Sequence, residues 1–92
     1  MHKYVSVRNT LIILRALANK TRLEIIGELL EGEKCVCEIF PRVKKSQANV
    51  SIHLNKLKEI KILSSRREGK KIFYRIANPK IIKALNELGY KN

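Results

Sequence analysis

Acidic side chains are scarce in this chain. Eight Asp and Glu stand against twenty Lys and Arg, which leaves a formal charge of +12 on 92 residues. That imbalance makes a polyanion the natural partner, although charge alone also fits a membrane-surface protein or a soluble lysine-rich one. Long apolar runs are missing as well. No stretch approaches the roughly 20 residues needed to span a bilayer, and the opening Met1-His2-Lys3-Tyr4 begins no secretory apolar segment. A cytoplasmic protein with no membrane partner is therefore expected. Cysteine is limited to Cys35 and Cys37, too close together to staple distant parts of a fold, so a stabilising disulfide framework is excluded. With two histidines, no HExxH and no phosphate-cradling glycine loop, little is left on which to build an enzyme. No internal repeat, low-complexity tract or long linker divides the chain, so residues 1–92 are read as one domain. A domain this small buries a modest fraction of its surface, and a second subunit is expected to complete its core.

The apolar residues fall at helical spacing over most of the length. Val7 to Ala18 carries Leu11, Ile12, Leu14, Leu17 and Ala18, a stripe wide enough to face both its own domain and another subunit. Thr21 followed by Glu24 fits a capping box, and the helix it would start runs through Leu23, Ile26, Leu29 and Leu30 to Gly32. Glu33 to Phe40 is read as one or two turns of helix, with Pro41 discouraging continuation. Arg42 to Lys45 is then a basic turn, and Ser46 is the N-cap of a long helix to Ile60. Asn78-Pro79 pairs an N-cap with the proline favoured at the first helical position, and Ile81, Ile82, Leu85 and Leu88 carry the last helix to Gly89.

Short helix, turn and long helix is the helix-turn-helix order. The long helix sets Val50, Leu54, Leu57 and Ile60 toward a core and leaves Gln47, Ser51 and Asn55 on the free face. Short hydrogen-bonding side chains on such a face suit base edges in a major groove, because each reaches a donor or acceptor without a long flexible stem. Beyond Ile60 the pattern becomes Ile62-Leu63, Ser64-Ser65-Arg66-Arg67, Glu68-Gly69, then Ile72 to Ile76. A glycine turn followed by β-branched and aromatic residues predicts a hairpin, with Ile72, Tyr74 and Ile76 on one face. The fold class expected is mostly α with a small β-hairpin, a winged helix-turn-helix, and double-stranded DNA becomes the first candidate partner. Tyr74 is read as a packed aromatic of the wing and His53 as a local structural histidine.

Taken together, ILRALANKTRLEIIGELL, CVCEI, SQANVSIHLNKLKE and SSRREGKKIFYRI resemble the ArsR/SmtB family of metal-responsive and related repressors, over about Leu11 to Ile76. The resemblance implies an ArsR-like homodimer that binds a palindromic operator and is released by a ligand, with the first and last helices forming the dimer layer. Carried over, the family's base-reading positions fall on Gln47, Ala48, Ser51 and Ile52, with Ser46, Asn49 and Asn55 beside them. Many relatives carry hydroxyl or imidazole groups where this chain has Ala48 and Ile52, which offer only apolar contact, for instance to thymine methyls. Lys44 and Lys45 at the helix start and Arg66, Arg67, Lys70 and Lys71 on the wing would hold phosphate or an adjacent minor groove.

Cys35-Val36-Cys37 matches the thiolate motif that arsenic, cadmium and lead sensors of this family place at the first helix of the DNA-binding unit. The resemblance thus implies a thiophilic effector such as arsenite, cadmium, lead or zinc, held by soft thiolates. On an ideal helix two residues so spaced point about 200° apart, so both sulfurs grip one ion only where the helix start is unwound. Phe40 stands where some arsenic sensors carry a third cysteine, and Asn78 to Asn92 has no histidine and only Glu87 for the family's other site. His2 or Glu38 is the nearest candidate for a third donor. Small thiols also pack readily without ligating anything, and oxidation is a further use of such a pair. Two other functions fit the same basic surface: a nonspecific architectural or RNA-binding module, and a winged helix that docks an acidic protein.

Overall fold

Residues 7–90 are described by the structure, a computed structural model. They form helices α1 (Val7–Leu17), α2 (Lys20–Leu29), α3 (Val36–Val43), α4 (Gln47–Glu59) and α5 (Pro79–Glu87), with strands β1 (Lys34–Cys35), β2 (Leu63–Glu68) and β3 (Lys71–Ile76). The strands make one antiparallel sheet in the order β1-β3-β2. This is the expected winged helix-turn-helix, with α3 and α4 as its two helices and β2-β3 as its wing.

Local chemistry sets the element boundaries. The hydroxyl of Ser46 accepts the Asn49 amide at 3.1 Å, and Asn78 Oδ1 accepts that of Lys80 at 2.9 Å, so α4 and α5 start on the caps read from the sequence. The α2 cap differs from expectation. Asn19, not Thr21, holds it, its Oδ1 accepting the Arg22 amide at 3.0 Å, because Asn19 alone keeps the extended backbone that a cap requires. Helix α3 also runs past Pro41 to Val43. The proline removes one intrahelical donor, but Ile39 and Val43, one turn apart, are 0% and 8% exposed and anchor the extra turn to the core.

The interior is built from α2, α3 and α4. Ile25, Ile26, Ile39, Val50, Leu54 and Leu57 are each fully shielded from solvent, and Leu63, Tyr74 and Ile76 join them from the base of the wing. Gly69, at φ +63°, is the only residue of the two-residue wing loop with positive φ, the pattern of a type II′ hairpin turn. Strand β1 was not expected. Two residues are too few to show an alternation, yet Lys34 and Cys35 pair with Tyr74 and Phe73 and tie the entry of α3 to the wing.

One buried charge braces this scaffold. Glu28, 5% exposed, faces the α3 side of α2, where its carboxylate accepts from Arg42 Nε at 2.6 Å and Lys34 Nζ at 3.1 Å. The outer side of α1 is apolar instead, with Val7 76%, Leu11 40% and Leu14 54% exposed at i, i+4 and i+7. No helix among the described residues is long and apolar enough to cross a membrane.

Candidate nucleic-acid interface

Because Val50, Leu54 and Leu57 lock α4 inward, its remaining faces project away from the core. Gln47, Ala48, Asn49 and Asn55 are exposed, Ser51 is half-buried, and Ile52 is 68% exposed, unusual for an aliphatic side chain. The sequence-predicted readers therefore stand in the open. Gln47, Ser51 and Asn55 share one face and, with Lys70 and Lys71 of the wing, border a groove of about 290 Å³. Tyr74 closes its floor. This residue is 5% exposed, and its hydroxyl donates to Asn55 Oδ1 at 3.4 Å, so it packs as expected and also steadies a reader. Burial pushes the Tyr74 phenol up, which keeps it in the donor form.

Cationic groups flank both ends of this helix face. Lys44 adopts the left-handed conformation, φ 58° and ψ 41°, and ends α3 so that Lys45 and Ser46 lead into α4. Two ammonium groups beside a helix N-terminus add to its positive pole, a ready site for phosphate. At the other side Arg67, Lys70 and Lys71 are exposed on the wing.

Arg66 behaves differently from the other wing cations. Its Nη2 lies 2.7 Å and its Nε 3.1 Å from Glu33 Oε1, with Nε 3.0 Å from Oε2, and its guanidinium sits 4.7 Å over the Phe73 ring. The hydrogen bonds from Arg66 hold the Glu33 carboxyl below the usual range. Expected as a phosphate contact, Arg66 is engaged within the protein, where it ties β2 to the residue preceding β1. No pattern in the sequence links Glu33 with a position 33 residues later. Glu28 was missed for the same reason.

The cysteines also depart from expectation. They were read as thiols, but Cys35 and Cys37 are joined to each other in a disulfide, with Cα atoms 5.2 Å apart. The helical divergence that would separate them does not apply, because Cys35 is the extended N-cap of α3, φ −74° and ψ 149°, and only Cys37 is helical. Cys35 Sγ accepts the Cys37 amide at 3.1 Å, while Glu38 Oε1 accepts the Cys35 amide at 2.9 Å, a capping box built on sulfur. In this oxidised form the pair offers no free thiolate to an ion. Both sulfurs are consumed by their mutual bond, Glu38 is committed to the cap, and no group of three or more His, Cys, Asp or Glu that could hold a metal occurs among the described residues. His2 lies outside the described residues. The pair lines the same groove as Gln47, Ser51 and Lys71.

His53, on the far flank of α4, is half-buried. Desolvation lowers its pKa first, and Arg22 and Lys45 add cationic repulsion, in keeping with a structural histidine.

Comparison with known proteins adds an independent line. The family model described as "Bacterial regulatory protein, arsR family" matches residues 19–65. An HTH-type transcriptional regulator of Methanocaldococcus jannaschii is 42% identical over 80 residues, covering 83% of this chain and 90% of that protein. The cadmium resistance regulatory protein CadC of Listeria innocua is 41% identical over 82% of the chain, which spans 63% of CadC. Among solved structures, the homodimeric winged helix-turn-helix DNA-binding domain Mb0332 of Mycobacterium bovis superposes with a TM-score of 0.83 at 26% identity, covering 97% of this chain and 87% of that one.

Proposed function

The chain belongs to the ArsR family of bacterial regulatory proteins, and from that premise we propose that it is a homodimeric repressor reading a palindromic operator with one α4 helix per half-site. It is a DNA-binding transcriptional regulator, not an enzyme. In the proposed complex Gln47, Ser51 and Asn55 meet base edges, with Ala48 and Ile52 against thymine methyls. Ser46 and Asn49 stand at the rim of the groove. Lys44, Lys45, Arg67, Lys70 and Lys71 hold phosphate and set the register without specifying sequence. The observation that carries this reading is the shared groove in which an open polar helix face and two wing lysines converge.

Selection of bound sequences from a random duplex pool tests it. A specific repressor enriches a two-fold symmetric site and prefers it to random duplex by at least ~10³-fold at physiological salt. Uniform retention of all duplexes would indicate an architectural protein, and retention of none a winged helix devoted to a protein partner.

A thiophilic effector is a second reading, favoured by similarity to a protein named for cadmium resistance. It requires the Cys35–Cys37 bond to be reduced first and a further donor to be recruited. Titration of the reduced chain with cadmium or arsenite tests it: absence of thiolate charge-transfer absorption removes the ion from consideration.

A further inference from the structure

The Cys35–Cys37 bond lies in the groove bordered by α4 and the wing. We infer that Cys35–Cys37 is a thiol–disulfide exchange site, opened by a small anionic thiol that enters the groove between α4 and the wing. The bond closes a ring of three residues, so it removes almost no freedom from the unfolded chain and has no role as a staple. What remains is its chemistry and its address. The two sulfurs are unequal: Cys37 is exposed, whereas Cys35 is 4% exposed and sits at the N-cap of α3. An incoming thiolate therefore meets Cys37 first.

The exchange balances as follows. The thiolate sulfur forms a bond to Cys37 Sγ, the Cys35–Cys37 bond breaks, and its electron pair leaves on Cys35 Sγ. That atom already accepts the Cys37 amide at 3.1 Å, at the helix end whose dipole favours negative charge, so the departing anion is stabilised where it forms. A second thiolate attacking the external sulfur would release the small-molecule disulfide and leave both cysteines reduced.

The preference for an anionic thiol comes from the groove. Lys70 and Lys71 line it and no carboxylate is among its lining residues, so two cations outweigh the one charge that Glu38 keeps at the α3 cap beside the pair. The intermediate mixed disulfide leaves its anionic tail on Cys37, against Gln47, Ser51 and the two lysines. This consequence rests on the reading of those residues as DNA-facing: the tail occupies the space of a phosphate or a base edge, and affinity for DNA falls.

The test uses the full oxidised chain, 2-mercaptoethanesulfonate and neutral 2-mercaptoethanol, compared at equal thiolate concentration, with acid quenching and peptide mass mapping. The expected result is an adduct on Cys37, formed at least about tenfold faster with the sulfonate at low salt. That advantage disappears at high salt and in a Lys70→Gln, Lys71→Gln chain. An adduct on Cys35, or equal rates for the two thiols at low salt, overturns the site. For the DNA step, Cys35→Ser keeps a competent N-cap and holds the Cys37 adduct in place. Its sulfonate adduct should bind the selected duplex at least about tenfold more weakly than the same chain with Cys37 free, and equal affinity overturns the regulatory step. If the unmodified chain selects no duplex, the DNA reading fails, while the mapping still decides the exchange site.

Discussion

Arg66 and Glu33 meet through a forked ion pair, the guanidinium giving Nη2 at 2.7 Å and Nε at 3.0–3.1 Å to the carboxylate while stacking on Phe73. The wing is thereby fastened to β1 by a cation that its sequence context assigns to phosphate. Arg67 and Lys70 keep their charge for the ligand. Replacing both by Ala removes two contacts from each protomer of the dimer, which should weaken operator binding and flatten the slope of log affinity against log salt by about 4. Arg66→Ala should change that slope by much less than one phosphate equivalent, lowering instead the hydrogen-exchange protection of β2 and β3. A loss of about two units of slope on Arg66→Ala, one per protomer, would return that residue to the phosphate contacts.

Glu28 is a second brace, and a deeper one. Its side chain is 7% exposed between Lys34, 16% exposed, and Arg42, 59% exposed. Removing one member of a buried pair strands the other, but here Arg42 reaches water and softens the loss. Glu28→Ala should therefore cost about 2 to 3 kcal/mol, below the range for fully buried pairs, and lower the melting temperature by roughly 10 °C. Arg42→Ala should cost less than half as much. Calorimetry on the two variants checks the order, and a larger loss at Arg42 contradicts it.

Helices α4 and α5 end in the same hydrogen-bond pattern on different residues. Tyr90 and Gly89 amides bond back to Leu85 and Asn86 after α5, and Ile62 and Lys61 amides to Leu57 and Lys58 after α4. The left-handed position is glycine in the first, φ 79°, and lysine in the second, φ 67°. A side chain there costs about 1 to 2 kcal/mol, partly offset by the greater unfolded-state freedom of glycine. Lys61→Gly should stabilise the chain by a net of about 0.5 to 1 kcal/mol, read as a higher denaturant midpoint with an unchanged slope.

Much of this architecture is legible in the residues because local rules point the same way. The Ser46 and Asn78 caps, the Val50–Leu54–Leu57 stripe and the Gly69 turn each follow from neighbours within four positions. Where position in space decides, the sequence is silent. Thr21 and Glu24 have the spacing of a cap, yet Asn19 takes the extended backbone. Pro41 lies inside α3 because Ile39 and Val43 are buried on either side of it. The engagement of Arg66 by Glu33, the Glu28 network and the two-residue β1 all pair residues that no periodicity connects. The cysteine bond depends on Cys35 standing outside the helix as its cap, which the Cys-x-Cys spacing alone does not decide.

His53 gives the chain an acid limb near neutrality. Burial first, then Arg22 and Lys45, hold its pKa below the ordinary 6.5. With the folded-state value the lower of the two, the unfolded chain takes up a proton first as pH falls. The stability contributed by neutral His53 is thus complete above 6.5 and is lost as pH drops through the folded-state value. His53→Gln should flatten the dependence of unfolding free energy on pH between about 7 and 5, the range in which imidazole titrates. Imidazole resonances followed by NMR should give a wild-type midpoint below 6.5, and a midpoint above it refutes the assignment.

The apolar ridge of Val7, Leu11 and Leu14 stays largely exposed among the described residues, while Ala16 alone of α1 is buried. Water-exposed aliphatic residues at helical spacing are unfavourable on a lone protomer and useful between two, and the Mycobacterium bovis neighbour is homodimeric. A Leu11→Glu, Leu14→Glu chain should keep its fold, since neither residue is buried, yet scatter light as a monomer. Splitting the dimer removes the second half-site's effective concentration, so operator affinity should fall by about 10² to 10⁴, whereas affinity for a single half-site should fall far less. Equal losses on full and half operators would show that α1 acts on the reading helix itself and not through pairing of subunits.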